Sequence, residues 1–329
     1  MKVGVVGCGR IGTRHVDAYR QLGGVDLVVA DDDPARAKTV AERWDVPVVP
    51  PEHLLDEDLD AVDVCVPSVA HQEWIVAALG SGRHVFCEKP LCLSHAEGVA
   101  IRAAAVRSRR SVVVGYLYRH HPAFRFAKET IDHGIIGDPY FALARLGGRG
   151  SHRPWKHDDR TGGGVVFEMM VHMLDLLSWV LGPLDDGRVV YEDLLLPQRV
   201  IDGEAVSVSA SDCAVVTCRA GGVRSICQSD LVTPSFMNHV EVQGSNGSLV
   251  ASILDFLPTV VYCNEPRVLF DRGHNYRQFG PTNLFVKELG SFLDLVRSDA
   301  FEEWSLLESL ELARFVDCML GREPAADDH

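Results

Sequence analysis

The chain has 329 residues, enough for two domains that each bury a core. Its 32 Lys and Arg face 46 Asp and Glu, and the formal charge of −14 argues against nucleic acid and anionic membranes as partners, since both attract basic patches. The most apolar stretch, 169–181, contains His172 and Asp175 and is too short to span a bilayer.

The first strand is expected over 3–6, which leaves no room for a secretory leader and points to the cytoplasm. It feeds directly into Gly7-Cys8-Gly9-Arg10-Ile11-Gly12, with a helix starting near Arg10. Strand, glycine turn and helix in that order are the context the dinucleotide fingerprint needs. Gly7 would allow the tight turn, Gly9 the approach of a pyrophosphate, and Gly12 close helix–strand packing. The N–H groups near Arg10 and Ile11 would then face the phosphates. A second strand, 27–30, ends at Asp31, about 20 residues beyond the turn, where a carboxylate accepts from ribose hydroxyls and repels a 2′-phosphate. NAD is therefore favoured over NADP. The other reading of Asp31-Asp32-Asp33-Pro34 is a solvated turn that caps the next helix.

That helix is expected over 35–44, followed by a short apolar piece at 46–49. A buried strand over 60–66 stops at Pro67 and Ser68, and a helix over 71–79 ends at Gly80 and Gly82. A strand at 84–87 runs into Glu88-Lys89-Pro90; a helix over 94–107 and a strand over 111–115 close the unit. The Arg107, Arg109 and Arg110 cluster suits the helix dipole. Such alternation implies an α/β, doubly wound parallel Rossmann sheet, assigned to 1–118.

The pattern changes after Tyr118. A helix over 122–133 stops at Gly134, a strand covers 140–146, and a polar loop over 147–163 precedes a strong helix. From 189 to 263 β-branched alternation dominates, with turns at Gly221-Gly222 and Ser245-Asn246-Gly247. This suits an α+β domain, 119–329, built on a large, mostly antiparallel open sheet. Helices over 284–297 and 304–320 precede a tail, 324–329, expected to fray. Nine cysteines include no C-x-x-C pair, and several, such as Cys65, Cys87 and Cys213, sit in strands, so reduced buried thiols are expected.

In doubly wound sheets, ligands sit outside the carboxyl ends of the strands. The polar ends are the glycine turn, Pro67-Ser68 with His71, and Glu88-Lys89-Pro90. Lys89, held by the following proline, is placed to stabilise charge on a hydroxyl oxygen; its bland alternative is a surface lysine paired with Glu88. Gly162-Gly163-Gly164 leads into a helix where Glu168, His172 and Asp175, spaced four and three apart, share a face. A histidine flanked by carboxylates can take a hydroxyl proton near neutral pH, although a lone helical histidine is more often a core residue.

On these segments the chain resembles the Gfo/Idh/MocA oxidoreductases, which include inositol dehydrogenases and glucose–fructose oxidoreductase. The resemblance implies a catalytic pair, Lys89 and His172, with Glu168 where inositol dehydrogenase-like members carry aspartate. It implies NAD held by Gly7, Gly9, Arg10, Ile11, Gly12, Asp31, Pro67, Ser68, His71, Glu88 and Lys89, and a polyhydroxylated substrate met by Arg119, Trp155, Asp158, Arg160 and Tyr276. The implied reaction moves hydride between nicotinamide and a secondary alcohol or ketone of a sugar, polyol, cyclitol or aminocyclitol. A glycosidase that oxidises its sugar transiently, and a nucleotide-binding sensor, are the rival readings. A homodimer or homotetramer is expected by resemblance. His120, His121, His152 and His157 lack a tight ligand spacing, so no metal is expected.

Overall fold

Apolar runs without polar alternation build the first sheet, because both of its faces are covered. The computed structural model describes residues 1–148, 154–161, 163–201, 203–254 and 256–322. It divides into two compact units, 1–117 with 283–314, and 118–282 with 315–322.

The first unit runs β1 (Lys2–Val6), α1 (Arg10–Leu22), β2 (Asp26–Ala30), α2 (Pro34–Trp44), β3 (Ala61–Val64), α3 (His71–Gly80), β4 (His84–Glu88), α4 (His95–Ser108) and β5 (Val112–Gly115). The strands form one parallel sheet in the order β2-β1-β3-β4-β5. The apolar piece at 46–49 forms no strand; Val48 only bridges Val29. The acidic turn caps as read, with Asp33 accepting the Ala35 N–H at 3.0 Å, and at the start of α4 Ser94 accepts the Glu97 N–H at 3.3 Å. At the end of α4, Arg109 lies over the Phe301 ring and Arg110 pairs with Asp299, so these arginines do more than complement a dipole.

In the second unit, α5 (Pro122–Asp132) and β6 (Pro139–Gly147) are followed by short 3₁₀ turns at Pro154–His157 and Asp159–Thr161. One turn of π-helix, Val166–Met170, leads into α6 (Val171–Leu181). The strands are β7 (Leu184–Asp193), β8 (Gln198–Ile201), β9 (Glu204–Ser207), β10 (Cys213–Ala220), β11 (Val223–Asp230), β12 (Met237–Gly244), β13 (Gly247–Ala251), β14 (Thr259–Cys263) and β15 (Gly273–Arg277). Eight of them form a sheet in the order β15-β14-β13-β12-β6-β11-β10-β7, antiparallel except for the β6–β11 pair; β8 and β9 make a separate hairpin. Burial alternates strictly along β10 and β12, the mark of a sheet with one face covered. The β10–β11 turn uses Gly221 and Gly222 at φ 54° and 82°, a pair of left-handed conformations that matches the sheet twist and that glycine adopts without strain.

Two further helices, α7 (Leu284–Ser298) and α8 (Trp304–Met319), end the chain. Leu289, Phe292, Leu293 and Val296 of α7 join Val16 and Tyr19 of α1 in one buried cluster of the first unit. Each such side chain contributes roughly 1.5–3 kcal/mol by leaving water. All nine cysteines are free, and most are buried. Among the described residues no helix is long and apolar enough to cross a membrane. The tail at 324–329 lies outside the described residues.

Candidate active site

The glycine turn is set by sterics. Gly7 holds φ +95°, and a Cβ there would lie 2.6 Å from the Cys65 carbonyl oxygen. A Cβ on Gly12 would sit 1.8 Å from the Gly7 oxygen, whereas one on Gly9 would meet nothing within 4 Å. Two glycines are thus required by packing, and the third is the one at which a pyrophosphate can approach the main chain. Gly9 caps α1 without a side-chain acceptor, and the first turn of α1 holds no acid, so the dipole end suits an anion. These residues fit a dinucleotide: the turn from Gly7 to Gly12 would hold its phosphates and Asp31 its ribose.

Asp31 is 6 % exposed and closes β2 onto the turn. One carboxylate oxygen accepts the Cys8 N–H at 2.6 Å, the other the Asp33 N–H at 2.8 Å, and an Arg36 nitrogen lies 3.3 Å away. Burial pushes its carboxyl upward, against the two N–H donors, which favour the charge. The acidic run therefore serves both readings at once: Asp33 caps α2, and Asp31 ties the strand end to the turn.

At the end of β3, the Val66 carbonyl meets His71 Nε2 at 3.0 Å, while His71 Nδ1 meets the Pro90 carbonyl at 2.7 Å. His71 thus staples the loop after β3 to the one after β4, and burial pushes its pKa down. At the end of β4, Glu88 Oε2 accepts the Lys89 N–H at 3.2 Å and Oε1 lies 3.1 Å from His15 Nε2. His15 Nδ1 is in turn 2.9 Å from Asp63. Sequence reasoning passed over His15 and Asp63. The available signal was an aspartate inside an otherwise apolar buried strand, Ala61–Val64, that needs a partner.

In the second unit His172 is half-buried, its ring centroid 4.9 Å from that of Tyr118. Burial pushes the Tyr118 hydroxyl well up, so it stays neutral. Asp175 accepts from Arg119 in a two-pronged pair, 3.0 Å from Nε and 2.6 Å from Nη2. Arg119 is therefore engaged by the helix that carries His172. Glu168 is buried and ion-paired with Lys156, whose ammonium also lies 5.0 Å over the Trp155 ring. It sits in the π turn that leads directly into the regular helix carrying His172. Asp158 and Arg160 grip each other at 2.9 and 2.7 Å on the surface, and the two Arg160 hydrogen bonds hold the Asp158 carboxyl down at about 2. Tyr276 stands on β15, 68 % exposed and stacked on His274.

Of the loop histidines, His121 caps α5 by accepting the Ala123 N–H, and His157 is buried. His152 and Gly162 lie outside the described residues. Among the described residues, the groupings close enough to share an ion are His15 with Asp63 and Cys65, and His15 with Glu88 and Glu288.

The oxidoreductase family model described as an NAD-binding Rossmann fold matches residues 1–116, and the C-terminal domain model of the same GFO/IDH/MocA family matches 124–250. The chain is 28 % identical to a myo-inositol 2-dehydrogenase of Thermotoga maritima over 307 residues, 91 % of this chain and 89 % of the relative. It is 36 % identical to an inositol 2-dehydrogenase of Acidothermus cellulolyticus over 186 residues, covering 55 % and 53 % of the two chains. Levoglucosan dehydrogenase in complex with NADH and L-sorbose shares the fold, with TM-score 0.87 and 21 % identity over 98 % of this chain and 96 % of that one. An NAD-binding oxidoreductase of Klebsiella pneumoniae does so at TM-score 0.85 and 22 % identity, over 98 % and 96 %. With its two halves matched by the two models of one family, the chain belongs to the GFO/IDH/MocA oxidoreductases, as an NAD(P)-dependent dehydrogenase or reductase acting on CH–OH groups.

Proposed function

We propose that the protein exchanges hydride between NAD and a secondary alcohol of a cyclitol, sugar or other polyol, with Lys89 and His172 as its catalytic residues. The observation that carries this reading is the joint presence of a lysine directly after β4 and a half-buried histidine on α6 in a chain related to inositol dehydrogenases. His172 takes the hydroxyl proton and the Lys89 ammonium holds the oxygen as it becomes a carbonyl. When bound, NAD would supply the hydride acceptor for the carbinol carbon, so that one alcohol would yield one ketone, one NADH and one proton. Glu168, neutralised by Lys156, and the Trp155 ring belong to one cluster that suits a polyol face. Arg119, fixed by Asp175, would present a rigid donor; Asp158, Arg160 and Tyr276 are further substrate contacts in this reading.

The test is a panel of cyclitols, sugars and nucleotide sugars with NAD or NADP. At least one cyclitol or sugar is expected to give NADH in proportion to ketone. Hydrolysis of a glycoside with no net NADH, or no turnover across the panel, sinks the proposal. In the same assay Asp31→Ser is expected to lower the NAD-over-NADP ratio of kcat/KM by roughly 10–100-fold, because the carboxylate that repels a 2′-phosphate is gone while Arg36 remains beside it. An unchanged ratio removes Asp31 from cofactor choice.

A further inference from the structure

Within the first unit, ionisable side chains from four elements meet in the interior. His15 of α1 and Asp63 of β3 are fully buried, Glu288 of α7 is 2 % exposed, and Glu88 ends β4. The His15 ring lies between Phe86 and Phe285, with centroids 5.5 and 5.4 Å away. Its nitrogens face carboxylate oxygens on both sides, 2.9 Å to Asp63 and 3.1 Å to Glu88. A neutral imidazole has one N–H, so it would leave a lone pair against one of those oxygens; the imidazolium satisfies both. Burial works against that charge, but the charge and hydrogen bonds of Asp63 and Cys65 together raise the His15 pKa well above its ordinary value.

The remaining groups that face the ring are neutral. The Cys65 thiol, 3.3 Å from both His15 Nδ1 and Asp63, is pushed up by burial and by Asp63, and so is the Tyr19 hydroxyl. Both Glu288 oxygens are buried with no hydrogen-bond partner among the described residues, and burial, with Glu88 nearby, keeps that carboxyl protonated. His15 thus bridges the carboxyl groups of Asp63 and Glu88, one at each ring nitrogen.

We propose that His15 is a positioning residue for Lys89: bridging Asp63 and Glu88, it fixes the Glu88 carboxylate, whose other oxygen accepts the Lys89 N–H at 3.2 Å, and so fixes the main chain from which the Lys89 side chain departs. The inference rests on the reading of Lys89 as the group that holds the reacting oxygen. A displacement of about 1 Å at a reacting group costs on the order of 100-fold in rate, which sets the scale of the effect.

His15→Ala is expected to lower kcat roughly 30–100-fold with the NADH dissociation constant unchanged within about threefold. Added imidazole is expected to restore about tenfold of that at pH 6 and much less at pH 8, because only the imidazolium donates to both carboxylates and its free pKa lies near 6.5. A variant that loses stability alone would show neither the split between kcat and cofactor binding nor the pH-dependent rescue. As a measurement that needs no variant, ring-¹⁵N histidine spectra of the wild-type enzyme at pH 8 should show one imidazole protonated on both nitrogens. Unchanged kcat in His15→Ala beside a collapsed Lys89→Met overturns this inference and leaves the catalytic reading standing. Full turnover in Lys89→Met overturns both. A neutral ring in the spectra, or a stoichiometric metal ion in the purified enzyme displacing the Nε2 proton, overturns the inference as well.

Discussion

Lys89→Met and His172→Asn are each expected to lower kcat by about 10³-fold while NADH still binds within a few-fold of wild type. The magnitude follows from chemistry. A positioned general base contributes roughly 10²–10⁴-fold, and an electrostatic contact to a developing oxyanion roughly 10²–10³-fold. Both side chains are half-buried, so neither substitution opens a large core cavity. The thioether chain of Met keeps the length of lysine without its charge. Asn keeps polarity at 172 but cannot take a proton near neutral pH. Because both groups act on the same oxygen in this mechanism, the double variant should fall little below the worse single one, as residues that work as a unit are not additive. Cofactor fluorescence titration and single-turnover hydride transfer separate binding from chemistry. Rates within threefold of wild type in either single variant remove that residue from the reaction.

What could be read from the amino-acid order was local. Gly7, Gly12 and Asp31 answer to one another over a single strand–helix–strand stretch, and their roles rest on sterics and short hydrogen bonds that spacing encodes. The two sheets were likewise legible, the first from unbroken apolar runs and the second from alternation. Three features were not. The link from His15 to Asp63 spans 48 positions, the one from Arg119 to Asp175 spans 56, and Glu288 arrives from a helix at the far end of the chain. No periodicity connects such residues; only the folded topology does. The π turn also escaped, because a four-residue spacing looks the same whether or not one extra residue is wound into the helix. The parallel β6–β11 pair inside an antiparallel sheet has the same origin, since strand order is not written in strand composition.

The Arg119–Asp175 pair carries the second large expected effect. Its side chains are 14 % and 4 % exposed, so both charges have left water, and two parallel hydrogen bonds repay that cost. Asp175→Ala would strip the largely buried Arg119 guanidinium of its two-pronged acceptor. Breaking a buried pair in this one-sided way costs about 3–5 kcal/mol, which for a chain of this size is a fall in melting temperature of roughly 4–7 °C. Replacing both partners by apolar residues of similar shape, Arg119→Met with Asp175→Leu, should recover most of that loss, since the buried charge goes with the arginine. Activity separates the two meanings of the pair. His172 sits one turn ahead of Asp175 on α6, so if Arg119 serves only to hold that helix, the double variant regains turnover along with stability. If Arg119 also meets the substrate, the double variant melts like wild type yet keeps a raised KM. A single Asp175→Ala variant as stable as wild type would show that the pair contributes nothing to the fold, and the helix would then be held by its apolar face alone.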